Sequence, residues 1–158
     1  MKKVTLVVGC DNAAVDLKRE ILAFLSEEGY TFEDIGVNAA EDATIYPLVA
    51  EKVARAIIES GYEKQGILIC GTGIGMAITS NKFPGIYAAV CHDSYSAERA
   101  KLSNNANVIC MGARIIGPEL AKKVLKEWLS LEFTGGRSLD KVAKIKELEG
   151  STFNDNVK

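Results

Sequence analysis

No C-x-x-C pair occurs in the sequence, no segment approaches the roughly 18 consecutive apolar residues of a membrane span, and neither sign of charge dominates. Each absence excludes something. The four cysteines, Cys10, Cys70, Cys91 and Cys110, lie too far apart to signal a zinc site or a redox pair, so reduced thiols in a cytoplasmic protein without a metal are the simplest expectation. Met1-Lys2-Lys3 and the apolar residues 4–8 imitate the start of a secretory signal, but Asp11 and Asn12 interrupt the stretch too early, and no membrane association is expected. With 19 basic against 21 acidic side chains, interspersed along 158 residues, the net charge of −2 leaves no general basic face for nucleic acid. There is no internal repeat and no linker-like stretch.

What is present is the balance of a soluble globular protein, 47% hydrophobic and 25% charged, at a length that suits one domain. Short apolar runs at 4–8, 30–35, 67–70, 87–91 and 108–111 read as strands. Between them lie segments with helical spacing. Leu17, Ile21, Leu22 and Leu25 recur up to Gly29; Pro47 can open a helix carrying Val49, Val53, Ala56 and Ile57; Gly117-Pro118 opens another with Leu120, Val124, Leu125 and Trp128. A short helix through 77–82, one capped by His92-Asp93-Ser94, and a last one around Val142, Ile145 and Leu148 complete the series. The alternation predicts an α/β fold, a three-layer α/β/α domain over 1–150 with a five-stranded parallel sheet, and a disordered polar tail at 151–158. Ligands of such sheets bind outside the carboxyl ends of the strands, here 9–12, 70–75, 91–93 and 111–114.

The run Cys70-Gly71-Thr72-Gly73-Ile74-Gly75 stands out at one of those ends. Three alternate glycines let a backbone approach a ligand and aim several N–H groups at one anion, although a tight strand-to-helix turn needs them equally. The spacing is neither the dinucleotide pattern nor a Walker loop, which disfavours a cofactor. Cys70 precedes a helix start that would favour a thiolate, and inert packing accounts for a cysteine there just as well. Asp11 and Asn12 suit sugar hydroxyls or a helix cap. Asn104, Asn105 and Asn107 suit hydroxyls or turns. Arg114 and Arg137 suit a phosphate or solvent, and His92, the only histidine, suits acid–base work or a cap.

Taken in order, Gly9-Cys10-Asp11, the segment 67–75, Asn81-Lys82, Tyr95-Ser96-Ala97, Asn104, Asn107-Val108 and Gly112-Ala113-Arg114 resemble the ribose-5-phosphate isomerase B family, which includes galactose-6-phosphate isomerase subunits. The resemblance runs over about 4–149 and is most specific at 70–75. It implies a Rossmann-like subunit, a homodimer or dimer of dimers with active sites shared across the interface, a phosphorylated sugar as substrate, and no metal or organic cofactor. By matching position Cys70 would move the proton between C1 and C2. Thr72 and the N–H groups of Gly71, Gly73, Ile74 and Gly75, with Asn104, would stabilise the enediolate oxygens. Asp11 would bind hydroxyls, Tyr46 would line the site, and Arg114 and Arg137 would hold the phosphate, with Lys141 where relatives often carry a second arginine.

Two positions depart from the pattern. Asn12 and Ser103 stand where many members have histidines associated with opening the cyclic sugar and with phosphate contact. The segments 92–99 and 102–106 look like the subgroup acting on tetrulose 4-phosphates. Family membership alone points to ribose 5-phosphate ⇌ ribulose 5-phosphate isomerisation. The missing histidines point to a tetrose/tetrulose 4-phosphate pair, whose esterified O4 cannot close a furanose ring. A subunit of a hetero-oligomeric isomerase and a non-catalytic phosphate-binding module are the remaining alternatives.

Overall fold

A computed structural model describes residues 4–155. Five parallel strands, β1 (Leu6–Cys10), β2 (Phe32–Asp34), β3 (Gln65–Cys70), β4 (Ala88–Val90) and β5 (Val108–Gly112), form one sheet in the order β2-β1-β3-β5-β4. The helices are α1 (Val15–Glu27), α2 (Tyr46–Glu59), α3 (Ile74–Ser80), α4 (Ser94–Leu102), α5 (Pro118–Leu129) and α6 (Leu139–Asp155). α2 and α3 pack together on one face, while α5 packs between α1 and α4 on the other. The expected three-layer α/β/α architecture with a five-stranded parallel sheet is therefore present.

Burial explains which strands are long. β1 and β5 are buried at every residue and β3 at all but Gln65, because helices cover both faces, so their sequences are continuous apolar runs without alternation. β2 and β4 are edges of three residues each. The outer side of β4 is partly closed by Asn81, whose side chain accepts from the Ala88 N–H (2.8 Å) and donates to its carbonyl (2.9 Å). α2 sits close on the sheet because Gly9 and Gly66 have no side chains. A Cβ at either would come within 2.8–2.9 Å of Val49 or Val53.

Two features differ from the sequence reading. α6 passes through Gly150 and continues to Asp155, so 151–155 are helical where a disordered tail was expected; 156–158 lie outside the described residues. Lys18 is 1% exposed. Its ammonium donates to both oxygens of Asp34 (2.8 Å each), to the Val37 carbonyl (2.7 Å) and to Asn38 Oδ1 (2.6 Å). This network fastens the turn after β2 against the end of β1, where the Val37 N–H donates to the Cys10 carbonyl. Lys18→Met keeps the buried stem but leaves these acceptors unpaired. It should destabilise the fold by about 2–3 kcal/mol, less than a fully buried pair because Asp34 is 23% exposed. The check is a lower urea midpoint at unchanged slope.

Candidate active site

The strand order reverses at β1, with β2 on one side and β3 on the other, so the crevice of an open α/β sheet falls at the carboxyl ends of β1 and β3. Cys70 ends β3 there, and Asp11 follows β1, its N–H donating to the Ile69 carbonyl (3.2 Å). Cys70 is 5% exposed, and its Sγ accepts a hydrogen bond from the Gly73 N–H at 3.1 Å. The sulfur is thus oriented by a backbone N–H at the start of α3.

Gly73 can be nothing but glycine. Its φ of 78° is left-handed, and a Cβ would lie 2.9 Å from the Met111 carbonyl carbon. Gly112 is equally confined, with a Cβ 2.6 Å from Thr72 Cα. The loop is therefore laid directly on the end of β5. Thr72 is exposed and its Oγ1 accepts from the Ile74 N–H (3.3 Å). Tyr46, the first residue of α2, places its ring over Gly75, where a Cβ would be 2.5 Å from the ring. Arg114 lies over Gly71, with its guanidinium 3.5 Å from where a Cβ would be. Asp11 is half-buried and accepts from the Ala13 N–H (3.0 Å). Burial raises its pKa, opposed by the Ala13 bond and by nearby Arg114. Asn12 is exposed beside it.

Burial lifts Cys10 and Cys91 to about 11 and Cys110 well above its ordinary value, which keeps them protonated packing groups.

Ser103, Asn104, Arg137 and Lys141 are not brought to this crevice. α4 runs back from the carboxyl ends, so Ser103 and the exposed Asn104 come out near the start of β5. There Asn105 adopts φ 53° and Asn107 bonds Tyr87 N–H and the Gly85 carbonyl (2.8 Å each), which makes those two amides turn-formers. Ser103 Oγ accepts from Arg99 (3.4 Å). α5 also runs back, and the segment after it, with Leu131 and Phe133, lines a cavity of about 760 Å³ at the amino ends of the strands. Arg137, in a short 3-10 turn, and Lys141, on α6, follow that segment; both are exposed and unpaired among the described residues. Cys70, Thr72, Asp11, Tyr46 and Arg114 thus gather at one end of the sheet. Ser103, Asn104, Arg137 and Lys141 belong to chain that leaves the other end.

His92 follows β4 at the Cys70 end, and its Nε2 accepts from the Gly112 N–H at 2.8 Å, which puts the ring proton on Nδ1. It holds the residue that pairs with Cys70 across the sheet. Sequence reasoning missed this role, because only the fold brings residue 112 to the ring. Burial lowers the His92 pKa below the ordinary 6.5, against a smaller opposing effect of Asp93. As pH falls below 6.5 the unfolded chain binds a proton that the folded chain does not, so this contribution to stability is complete above 6.5 and shrinks on acidification. NMR titration of the single imidazole should give a pKa below 6.5, with a lower urea midpoint at about pH 5 than at about pH 7.5.

The chain and its fold have counterparts among known proteins. The chain is 51% identical to a D-erythrulose-4-phosphate isomerase of Pectobacterium atrosepticum over 142 residues, 90% of this chain and 93% of that protein. It is 48% identical to a ribose-5-P isomerase B of Listeria innocua over 144 residues, 91% and 96% respectively. The solved structure of Clostridium thermocellum ribose-5-phosphate isomerase B superimposes with a TM-score of 0.88 at 41% identity, covering 94% of this chain and 99% of that one. Residues 6–145 match the profile of the ribose/galactose isomerase family, and the chain belongs to that family.

Proposed function

We propose that this sugar-phosphate aldose–ketose isomerase acts on an open-chain tetrose/tetrulose 4-phosphate pair. One observation carries the choice of substrate: the only imidazole has its Nε2 committed to the Gly112 N–H. A pentose 5-phosphate closes through its free O4 and benefits from an acid–base group that opens the ring. Neither Asn12 nor Ser103 supplies one, and His92 would have to surrender the Gly112 bond. A tetrose 4-phosphate has its O4 esterified and needs no such group. The identity to the Pectobacterium protein supports the same substrate class. Ribose 5-phosphate is the second reading, favoured by the identity to the Listeria protein.

In the proposed mechanism the Cys70 thiolate takes the C2 proton of the aldose, the electrons of the broken C–H bond form the C1=C2 bond, and the carbonyl π pair moves onto O1 to give the enediolate. The same thiol returns a proton to C1 while the hydroxyl proton moves from O2 to O1, giving the ketose. The reaction is balanced within the substrate. Thr72 and the N–H groups of the loop stabilise the enediolate oxygens, and Asp11 and Asn12 bind hydroxyls. Tyr46 lines the crevice and Arg114 pairs with the phosphate.

We infer that Asn104, Arg137 and Lys141 enter this scheme from a second copy, because they follow helices that run back from the Cys70 end, α4 and α5. α6 supports such an arrangement, because it leaves Leu139, Ile145 and Leu148 at 55%, 41% and 52% exposure, the last two one turn apart on the helix. We therefore infer a homo-oligomer with shared sites.

The purified chain alone should isomerise erythrose 4-phosphate with a higher kcat/KM than ribose 5-phosphate, and Cys70→Ser should lower kcat by about 10²–10⁴-fold. Better turnover of ribose 5-phosphate would reject the tetrose assignment. Inactivity of the pure chain would point to a missing paralogous subunit or to a binding module. Mixing inactive Cys70→Ser and Asn104→Ala chains under exchange should restore about a quarter of wild-type activity, since half the dimers then hold one intact site of two. No recovery in verified mixed dimers would place each site within one chain.

A further inference from the structure

α6 stands outside the main core. Val142 is its one buried apolar side chain among the described residues, and the rest of the helix is largely exposed. Its attachment near the far end is polar. Glu149 Oε1 accepts from the Gly85 N–H (3.0 Å) and Oε2 from the Tyr87 hydroxyl (2.8 Å). The surface that receives these bonds is rigid. Asn107, at the start of β5, donates to the Gly85 carbonyl and accepts from the Tyr87 N–H. Gly85 has φ 76°, and the Tyr62 ring occupies the space a Cβ would need, 2.6 Å away. Tyr62 itself is held at φ 65°, with its hydroxyl donating to the Pro84 carbonyl (3.1 Å).

We propose that Glu149 is a positioning residue for phosphate recognition: it latches α6 to the Gly85–Tyr87 surface and so fixes where Arg137 and Lys141 present their charges. This rests on the reading above that these two cations hold the substrate phosphate. Both precede Glu149 on one short turn and one continuous helix, so their placement depends on how that helix is docked. Neither has an ion pair or hydrogen bond of its own among the described residues to fix it. A carboxylate that grips a backbone N–H and a phenol from opposite oxygens sets both the position and the rotation of the helix.

Such a residue acts on binding of the phosphate, which is shared by ground state and transition state, so its loss moves KM more than kcat. Glu149→Ala should raise KM for the best phosphorylated substrate by about tenfold with kcat within about twofold, and Tyr87→Phe should act in the same direction more weakly. Glu149→Gln, whose oxygen can accept from Gly85 while its amide donates to the Tyr87 oxygen, should recover most of the affinity. In an Arg137→Ala, Lys141→Ala background, Glu149→Ala should add less than about twofold, because the groups it positions are gone. An equal KM effect in both backgrounds, a fall in kcat alone, or an unchanged KM in Glu149→Ala overturns the positioning role. Should Glu149→Ala not fold, Tyr87→Phe decides by the same comparison. An unchanged KM in the Arg137→Ala, Lys141→Ala chain overturns the phosphate reading and the positioning role with it, whereas a raised KM there with Glu149→Ala unaffected overturns the latter alone.

Discussion

The hydrogen bond from the Gly73 N–H to the Cys70 sulfur is the contact on which the site depends. For that N–H to face Cys70, the loop must turn back within three residues of the end of β3. It does so through a left-handed residue pressed against the backbone of Met111. That approach is possible only because residues 73 and 112 lack side chains, and it fixes β5 as the floor of the loop. β5 is in turn held by His92, whose ring nitrogen accepts from Gly112. The thiol, the loop and the lone histidine are thus one assembly in which each part sets the position of the next.

Much of the fold was legible because the relevant physics is local. Continuous apolar runs at 67–70 and 108–111 mark strands covered on both faces, and Pro47, Asp93 and Pro118 mark helix starts that α2, α4 and α5 adopt. Polarity at 151–155 points to disorder in the sequence alone, but these residues extend a helix whose earlier turns are already established, so they need no apolar face of their own. Lys18 was hidden for a related reason. It stands three, four and seven residues before Ile21, Leu22 and Leu25, on the apolar side of α1, but a lysine is presumed exposed until a buried acceptor set is known. Lys101 is the same case: 3% exposed, it bonds Gln65 (2.7 Å) and lies 3.5 Å from the centre of the Trp128 ring. Neither set of partners lies within a helical turn of its lysine.

Of the candidate site, the half that follows strands could be read in order, because parallel α/β sheets collect strand ends by construction. The other half could not. Asn104 looked like a neighbour of Cys70 as long as its position rested on resemblance, and the direction of α4 separates the two. The asparagines divide in the same way. Asn107 spends its amide on Tyr87 and Gly85 and Asn105 on a left-handed turn, which leaves Asn104 as the exposed amide of the three.

This division bears on the proposal that the site is built from two copies. Every helix that follows a strand returns its chain to the amino end of the sheet, so residues at the C-terminal ends of those helices cannot reach the crevice of their own chain. Strand ends and the loops after them can supply a thiol, backbone donors and one arginine, and here they place Cys70, 71–75 and Arg114 together. Two further cations and an exposed amide at the opposite end are of no use to that crevice until another sheet presents them. On the proposal of a shared site, substrate binding would also depend on the docking of α6, a largely exposed helix, whereas Cys70 and its N–H donor are embedded in the core.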